Sequence, residues 1–173
     1  IKEATNGQLD ITVHANGSLI RPGEIKNAVR SRQVETGEFL ISALANENPI
    51  FAVDAIPFLA VSHDDSEKLY EITKPYLEEI LGRQNMKLLY SVAWPPQGMY
   101  TDRPIGSIED LKGLRMRAYS PQTERLAQLS GAVPTQIEAA DIPQAFSTGR
   151  VNAMITSAST GVNSSAWDFL THY

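Results

Sequence analysis

The alternation of apolar and polar residues divides the chain into strands separated by helices. Strand patterns, mostly with the period of two that is typical of a half-buried strand, cover 9–14, 38–44, 86–92, 99–102, 114–118, 133–137 and 151–155. Apolar residues three or four positions apart predict helices over 22–30, 64–81, 121–129, 141–148 and 162–173. Strands that alternate with helices in this way predict an α/β protein with mostly parallel sheets flanked by helices.

The longest predicted helix has clear signals at both of its ends. Asp64, Asp65 and Ser66 supply caps at its start, and Gly82 closes it. Pro75 lies inside the helix and predicts a kink there. The spacing of the apolar residues predicts a buried stripe made of Leu69, Ile72, Tyr76 and Ile80.

A proline-rich break predicts that the chain passes between two lobes. Residues 94–98 read WPPQG, and proline and glycine at this spacing interrupt a strand or helix. We predict a first α/β lobe over 1–94, a crossing at 95–98 and a second α/β lobe over 99–173. Residues 1–7 read as the last turn of a helix closed by Asn-Gly, so we expect the fold to be incomplete at both ends.

Composition argues against several classes of function. A net charge of −5 is unlike the basic surface that a nucleic-acid partner requires, and no apolar run approaches the length of a membrane span. The absence of cysteine excludes disulfides, thiolate metal sites and cysteine nucleophiles. The three histidines lack the spacing of metal ligands. We therefore expect neither a metal nor another cofactor.

The end of the strand at 114–118 carries the strongest candidate for ligand binding. This strand ends just before a helix that begins at Pro121, and open α/β sheets bind ligands beyond the carboxyl ends of their strands. Arg117 lies near that end, and its planar guanidinium can bind a carboxylate through two parallel hydrogen bonds. Arg115 shares the strand face but lies further from the end. We predict that Arg117 anchors an anion in a binding cleft.

Further candidates lie beside the predicted break or after predicted strands. Trp94 precedes the break and Tyr119 follows Arg117 by two residues. Aromatic rings supply the apolar walls with a polar edge that ligand pockets need, although core packing is their commoner role. Asn46 and Ser157 each follow a predicted strand. No histidine is placed as a base for Ser157, so we predict binding there and no nucleophile.

Short motifs, in order along the chain, resemble those of one transporter family. Residues 111–117 read LKGLRMR and resemble the family's KGLKIR element. The other matching segments are 16–19 (NGSL, before the second helix), 55–59 (AIPFL, resembling LPFL), 129–135 (LSGAVPT, resembling LGANPVP) and 146–152 (FSTGRVN, resembling LQTGVVDG). On these motifs the chain resembles the solute-binding proteins of TRAP transporters, the DctP-like family.

The resemblance implies a two-lobed fold similar to type II periplasmic binding proteins, of which this chain is an incomplete part. It implies a periplasmic protein whose precursor carries a signal peptide. The ligand would be a small organic acid, held by Arg117 in the cleft between the lobes. The partners would be the TRAP membrane permease subunits, with no nucleic acid, no direct membrane insertion and no catalysis.

Two positions differ from the family pattern. The family commonly continues VDGQENP after the glycine, and its asparagine helps to hold the substrate. Here residues 151–157 read VNAMITS, so the polar position falls on Thr156. Arg103 falls near the place where some members carry a second arginine, and Pro104 follows it. We predict substrate contacts from Thr156 and Arg103 without carrying over specificity for sialic acid or C4-dicarboxylates.

Two other functions stay open. Similar two-lobed folds sense metabolites, so the chain could be the effector-binding domain of a regulator, which needs an attached helix-turn-helix. An α/β enzyme would need an acid, a base or a nucleophile in a shared site, and the sequence has no recognisable constellation of these groups. The sequence preceding Ile1 would distinguish the first two functions, because a signal peptide favours transport and a helix-turn-helix favours regulation.

Overall fold

A computed structural model describes all residues 1–173. The chain forms two compact units, Ile1–Phe39 and Leu40–Tyr173, and each is described by itself. The predicted crossing at 95–98 lies inside the second unit, and the division into two lobes stays a prediction. No helix combines the length and the apolar character that crossing a membrane requires.

The first unit consists of short helical segments joined by extended chain. A 3-10 turn at Glu3–Thr5 is closed by Asn6, whose φ of 51° is left-handed, as the Asn-Gly pair predicted. A 3-10 turn at Pro22–Glu24 leads into α1, Ile25–Arg30, which confirms the predicted helix at this place. Gly37 lies against α1, where a Cβ atom would come within 3.0 Å of Val29 Cγ2.

The second unit begins with helical segments around one buried aromatic ring. Two 3-10 segments, Ile41–Leu44 and Pro49–Ala55, precede the long helix α2, His63–Arg83. Phe51 is fully buried in the second of these segments. The Ser62 hydroxyl accepts a hydrogen bond from the Asp65 N–H at 3.1 Å and caps α2.

The buried stripe of α2 differs from the prediction. Leu77 and Leu81 are its buried residues, whereas Ile72 and Tyr76 are 67% and 57% exposed. A helix of this composition offers two apolar stripes, and its neighbour selects one of them. The segment Pro49–Ala55 packs on α2.

Three predicted strands are absent, which corrects the interpretation of 9–14, 38–44 and 86–92. The first and last form no regular secondary structure, and 41–44 is a 3-10 turn. A strand is stable only when a neighbour satisfies its N–H and C=O groups. No other segment of these residues forms a ladder with them, so the alternating pattern alone does not make them strands.

The remaining strand predictions are confirmed with shifts of one to a few residues. One sheet contains β1 (Gln97–Thr101), β2 (Arg115–Ala118), β3 (Val133–Gln136) and β4 (Ala153–Ser157). Their order is β1-β4-β2-β3, with β2 parallel to both of its neighbours and β1 antiparallel to β4. Arg117 on β2 is paired with Thr135 on β3 and Met154 on β4.

Helices cover both faces of this sheet, as expected for the predicted fold class. They are α3 (Pro121–Leu129), α4 (Ile142–Ser147) and α5 (Ala158–Asn163). One core contains Leu111, Leu114, Met116, Ala127, Ala132 and Ala153. The core on the opposite face contains Ile137, Ile142, Ala145, Phe146, Val151, Met154, Ala166 and Leu170.

The predicted helix at 162–173 is wrong. Helix α5 ends at Asn163, and a left-handed Ser165 with φ of 51° leads into a 3-10 turn at Ala166–Asp168. The chain then runs antiparallel to β1, where Thr101 and His172 exchange backbone hydrogen bonds of 3.0 and 3.1 Å. The space over Gly98 is filled by the ring of Tyr173, whose Cζ atom would lie 2.6 Å from a Cβ at that position. Packing against β1 therefore overrides the helical pattern.

Candidate functional site

Arg117 lies at the carboxyl end of β2 and is 4% exposed. Its Nε–H donates a hydrogen bond to the Ile137 carbonyl oxygen at 2.9 Å. That carbonyl is itself fixed to β2, because the Ile137 N–H donates to the Ala118 carbonyl at 3.0 Å. The two terminal amino groups of the guanidinium have no hydrogen-bond acceptor in the chain. They are the groups that bind a carboxylate through two parallel hydrogen bonds.

Burial is the largest influence on the pKa of the Arg117 guanidinium. Desolvation lowers the pKa of its guanidinium to about 10, and the charges of Tyr119 and Glu138 raise that pKa in part. Glu138 makes no ion pair with Arg117. The guanidinium stays positive at neutral pH and carries a desolvated charge with two free donor groups. Arg115, by contrast, is exposed at the start of β2.

The ring of Tyr119 lies against this guanidinium. The Arg117 Cζ atom lies 4.9 Å from the ring centroid, within the range of a cation–π contact. The Tyr119 hydroxyl donates a hydrogen bond to Gln97 Oε1 at 3.2 Å. Burial raises the pKa of Tyr119, the charge of Arg117 lowers it, and the charge of Asp54 raises it. The phenol is therefore neutral at physiological pH.

The start of α3 holds Tyr119 in place. The backbone N–H groups of Tyr119 and Ser120 both donate to the Thr123 hydroxyl at 3.0 Å. The Ser120 hydroxyl in turn accepts from the Thr123 N–H at 3.3 Å, which completes a capping box. Pro121 occupies the first helical position, where its missing N–H is harmless. These local interactions end β2 sharply, so the Arg117 side chain lies directly before a helix.

Thr156 and Ser157 end the neighbouring strand β4 on opposite faces. Thr156 is 3% exposed and lies two residues after Met154, the partner of Arg117, so it shares the face of Arg117. Its hydroxyl has no hydrogen-bond partner in the chain. Ser157 points to the other face and caps α5 by accepting a hydrogen bond from the Thr160 N–H at 3.2 Å. The capping role accounts for the burial of Ser157.

Comparison of the sequence with known protein families shows which family the chain belongs to. The sequence profile of the bacterial extracellular solute-binding protein family 7, DctP, matches residues 1–166. The chain belongs to this family. The resemblance to TRAP transporter solute-binding proteins is thereby confirmed, together with the α/β fold class.

Solved structures of DctP-family receptors have the same fold as this chain. DctP7 and DctP6 of Bordetella pertussis, both extracytoplasmic solute receptors binding pyroglutamic acid, are 49% and 44% identical to it, each with a TM-score of 0.96. A pyroglutamate-specific TRAP protein from a marine metagenome is 40% identical, with a TM-score of 0.95. In each case 98% of this chain is aligned to 56% of the other.

A curated DctP-family relative is more distant in sequence. A solute-binding protein of Albidiferax ferrireducens is 22% identical over 167 residues, which are 94% of this chain and 48% of that protein. The chain therefore spans about half the length of the relatives it matches.

The other three predicted site residues of this DctP-family chain make no hydrogen bond with Arg117. Trp94 is 54% exposed, Arg103 is exposed and donates from Nε to Asp102 Oδ1 at 3.1 Å, and Asn46 is exposed. The structure brings Arg117 together with Tyr119 and places Thr156 on the same face. Solvent-open depressions of about 620 Å³ beside α4 and about 370 Å³ beside Trp167 do not include Arg117.

Two residues that interact with Tyr119 are not among the site residues predicted from the sequence. Gln97 belongs to the break at 95–98, and nothing in the sequence shows that it meets a tyrosine 22 residues further along the chain. Asp54 is exposed to solvent. Partial desolvation nevertheless raises the pKa of its carboxyl group, and this effect outweighs the hydrogen bonds from the backbone of Asp54 and Ala55, which lower the pKa. A signal for Asp54 did exist, because it is the one charged residue in the apolar stretch 50–61.

Proposed function

We propose that this chain belongs to the periplasmic receptor of a TRAP transporter, which captures a small organic acid and delivers it to the membrane permease. The observation that carries the proposal is the buried guanidinium of Arg117, with both terminal amino groups unpaired. A largely buried cation that lacks a counter-charge and acceptors for two of its donor groups is costly. A carboxylate ligand would supply the missing charge and the two missing acceptors.

The ligand that we propose is a small cyclic monocarboxylate of the pyroglutamate type. Three solved structures that share 40–49% of their residues with this chain come from receptors binding pyroglutamate. The charges around the site support one carboxylate rather than two. Arg117 is the buried arginine, whereas Arg115 is exposed and Arg103 is engaged with Asp102.

Binding would be strengthened by closure of the predicted lobes 1–94 and 99–173 over the ligand. A bidentate guanidinium–carboxylate pair gains strength as water leaves, since the local dielectric constant falls. Thr156 would add a hydrogen bond from the same sheet face. No nucleophile is paired with a base at this site, so the ligand would be released unchanged.

A ligand panel tests this proposal. Calorimetric titration of the intact protein should show saturable binding of pyroglutamate. 2-Pyrrolidone, which has the ring without the carboxylate, should bind about 30-fold more weakly or worse, because a hydrogen bond to a charged group contributes about 2 kcal/mol. Succinate serves as the dicarboxylate control and should bind less tightly than pyroglutamate. Equal binding of pyroglutamate and 2-pyrrolidone would contradict the role given to Arg117.

A further inference from the structure

The guanidinium of Arg117 needs a second support to present both terminal amino groups in one direction. Its single hydrogen bond, from Nε to the Ile137 carbonyl, fixes one point of the planar group. The plane can still turn about that bond. A bidentate contact requires a fixed plane, because both N–H···O bonds must be aligned at once.

The face of the Tyr119 ring supplies this support. The ring centroid lies 4.9 Å from Arg117 Cζ, so the ring restricts the rotation of the guanidinium on that side. Tyr119 is itself held at two points. The Tyr119 backbone N–H donates to Thr123 Oγ1 at 3.0 Å, and the phenol hydroxyl donates to Gln97 Oε1 at 3.2 Å.

Gln97 connects this ring to the proline-rich break. The Gln97 Nε2 group donates to the Pro95 carbonyl at 2.9 Å, so both ends of its amide are engaged. Gln97 is also the first residue of β1 and is paired with Ser157 on β4. The orientation of the Tyr119 ring is therefore tied to residues 95–97.

We infer that Tyr119 is a positioning residue that orients Arg117, and that the Gln97 amide locks the Tyr119 ring in place. The inference rests on the proposed function only in that Arg117 receives the carboxylate. In this arrangement the phenol hydroxyl donates its hydrogen bond to Gln97. Tyr119 therefore affects ligand binding by orienting Arg117 and makes no hydrogen bond to the ligand. A rearrangement of residues 95–97 would release the ring and loosen the anion anchor.

The first test needs no ligand. In the intact protein, solvent exchange of the Arg117 Nε–H proton, followed by NMR, reports how firmly the guanidinium is held. Replacement Tyr119→Leu removes the ring face and should speed this exchange about 10-fold or more. Tyr119→Phe keeps the ring and should speed it only a few-fold. The matched control Tyr90→Phe changes a tyrosine that is 72% exposed and should leave the exchange unchanged.

The second test measures pyroglutamate binding. Tyr119→Leu should weaken binding about 10- to 30-fold, the range of a desolvated cation–π contact. Tyr119→Phe should weaken it about 3-fold, the loss of one partly exposed hydrogen bond. Gln97→Met should weaken it about 3-fold or more, because it removes the bond to Pro95 as well as the bond from Tyr119. The double variant should bind about as well as Gln97→Met alone, since Gln97→Met already removes the hydrogen bond that Tyr119→Phe removes.

Two results would overturn the inference. One is unchanged Arg117 Nε–H exchange in Tyr119→Leu. The other is weaker binding in Tyr119→Phe with normal binding in Gln97→Met, because the hydroxyl would then contact the ligand directly. If the wild-type protein binds no acid at all, the proposed function fails, but the exchange measurement still decides whether Tyr119 positions Arg117.

Discussion

At the scale of single residues, the unusual feature is a buried cation with free donor groups. Most buried charges in proteins are paired or fully hydrogen-bonded. Arg117 uses only its Nε–H within the chain, although it is 4% exposed. The contrast with Arg115, two residues earlier on the same strand and exposed, makes these two arginines a matched pair for mutation.

Replacement Arg117→Ala should weaken pyroglutamate binding by about 2–5 kcal/mol, the range for truncating one partner of a buried charge pair. Arg117→Lys should also weaken it, because an ammonium group cannot reproduce the planar two-pronged contact. Arg115→Ala is the control and should leave binding within about 0.5 kcal/mol of wild type. Calorimetric titration gives all three values. Normal affinity in Arg117→Ala would place the anion anchor elsewhere.

Alkaline pH should weaken binding earlier than an ordinary arginine would allow. The pKa of Arg117 is lowered to about 10, and only its protonated form pairs with a carboxylate. Affinity should therefore stay constant from about pH 7 to 9 and fall as pH rises through about 10, with a limiting slope of about tenfold per unit. Titrations up to pH 11, with circular dichroism as a check on folding, measure this. Constant affinity at pH 11 would show that Arg117 keeps an ordinary pKa.

At the scale of elements, one close approach fixes α5 against β1. Gly161 on α5 receives the ring of Tyr100 from β1, and the Tyr100 Cζ atom would lie 2.6 Å from a Cβ at this position. The ring of Tyr100 cannot simply move away, because the Tyr173 ring lies beside it with a centroid separation of 4.5 Å. Only a residue without a side chain fits there.

Replacement Gly161→Ala should destabilise the protein by about 1–3 kcal/mol through overpacking. Tyr100→Phe combined with Gly161→Ala should recover part of this loss, because it removes the hydroxyl that the new methyl group meets. Gly82→Ala is a suitable control, since a Cβ there meets no atom within 4 Å and alanine favours helix α2 by up to about 1 kcal/mol. Urea denaturation measures the free energy of unfolding. A Gly161→Ala protein as stable as wild type would contradict this packing.

The elements whose prediction is confirmed depend on nearby residues, whereas the corrected elements depend on partners distant in sequence. The presence of helix α2 and the β2–α3 connection were predictable, because apolar periodicity, caps and prolines act within a few residues of the positions they control. The end signals of α2 differ from the prediction, since Ser62 caps its start in place of Asp64, Asp65 and Ser66, and Gly82 lies inside the helix, which ends at Arg83. The segment 86–92 has an equally regular strand pattern, yet a strand also needs a partner that is distant in sequence. Leu77 and Leu81 are buried instead of Ile72 and Tyr76, which likewise depends on tertiary contacts of α2, such as the one with the segment Pro49–Ala55.

At the scale of the whole molecule, local stability should vary widely along the chain. The sheet is covered on both faces, and its central strands β2 and β4 are mostly buried. By contrast, residues 87–92 make no backbone hydrogen bond, and Leu89, Tyr90 and Val92 are 65–72% exposed. This contrast indicates that residues 87–92 open to solvent independently of the sheet and at a lower free-energy cost.

Hydrogen exchange of a chain comprising residues 1–173 should show this contrast. Backbone N–H groups of 87–92 should exchange at nearly the rate of an unfolded peptide, whereas those of β4 should be slower by about 10³-fold or more. Mass spectrometry of short peptides resolves both regions in one experiment, with β4 as the internal control. Slow exchange in 87–92 would mean that these residues have backbone partners that the structure does not show.

The sequence by itself determined what depends on near neighbours along the chain. The α/β alternation, the presence of α2, the ends of α3 and the position of Arg117 at the end of β2 follow from periodicity and capping, which act over a few residues. Only the tertiary structure decided which extended segments became strands. It also decided that Thr156 shares a face with Arg117 while Ser157 caps α5, because register is set between strands. The contact of Gln97 with Tyr119 joins residues 22 positions apart, and no local pattern records such a contact.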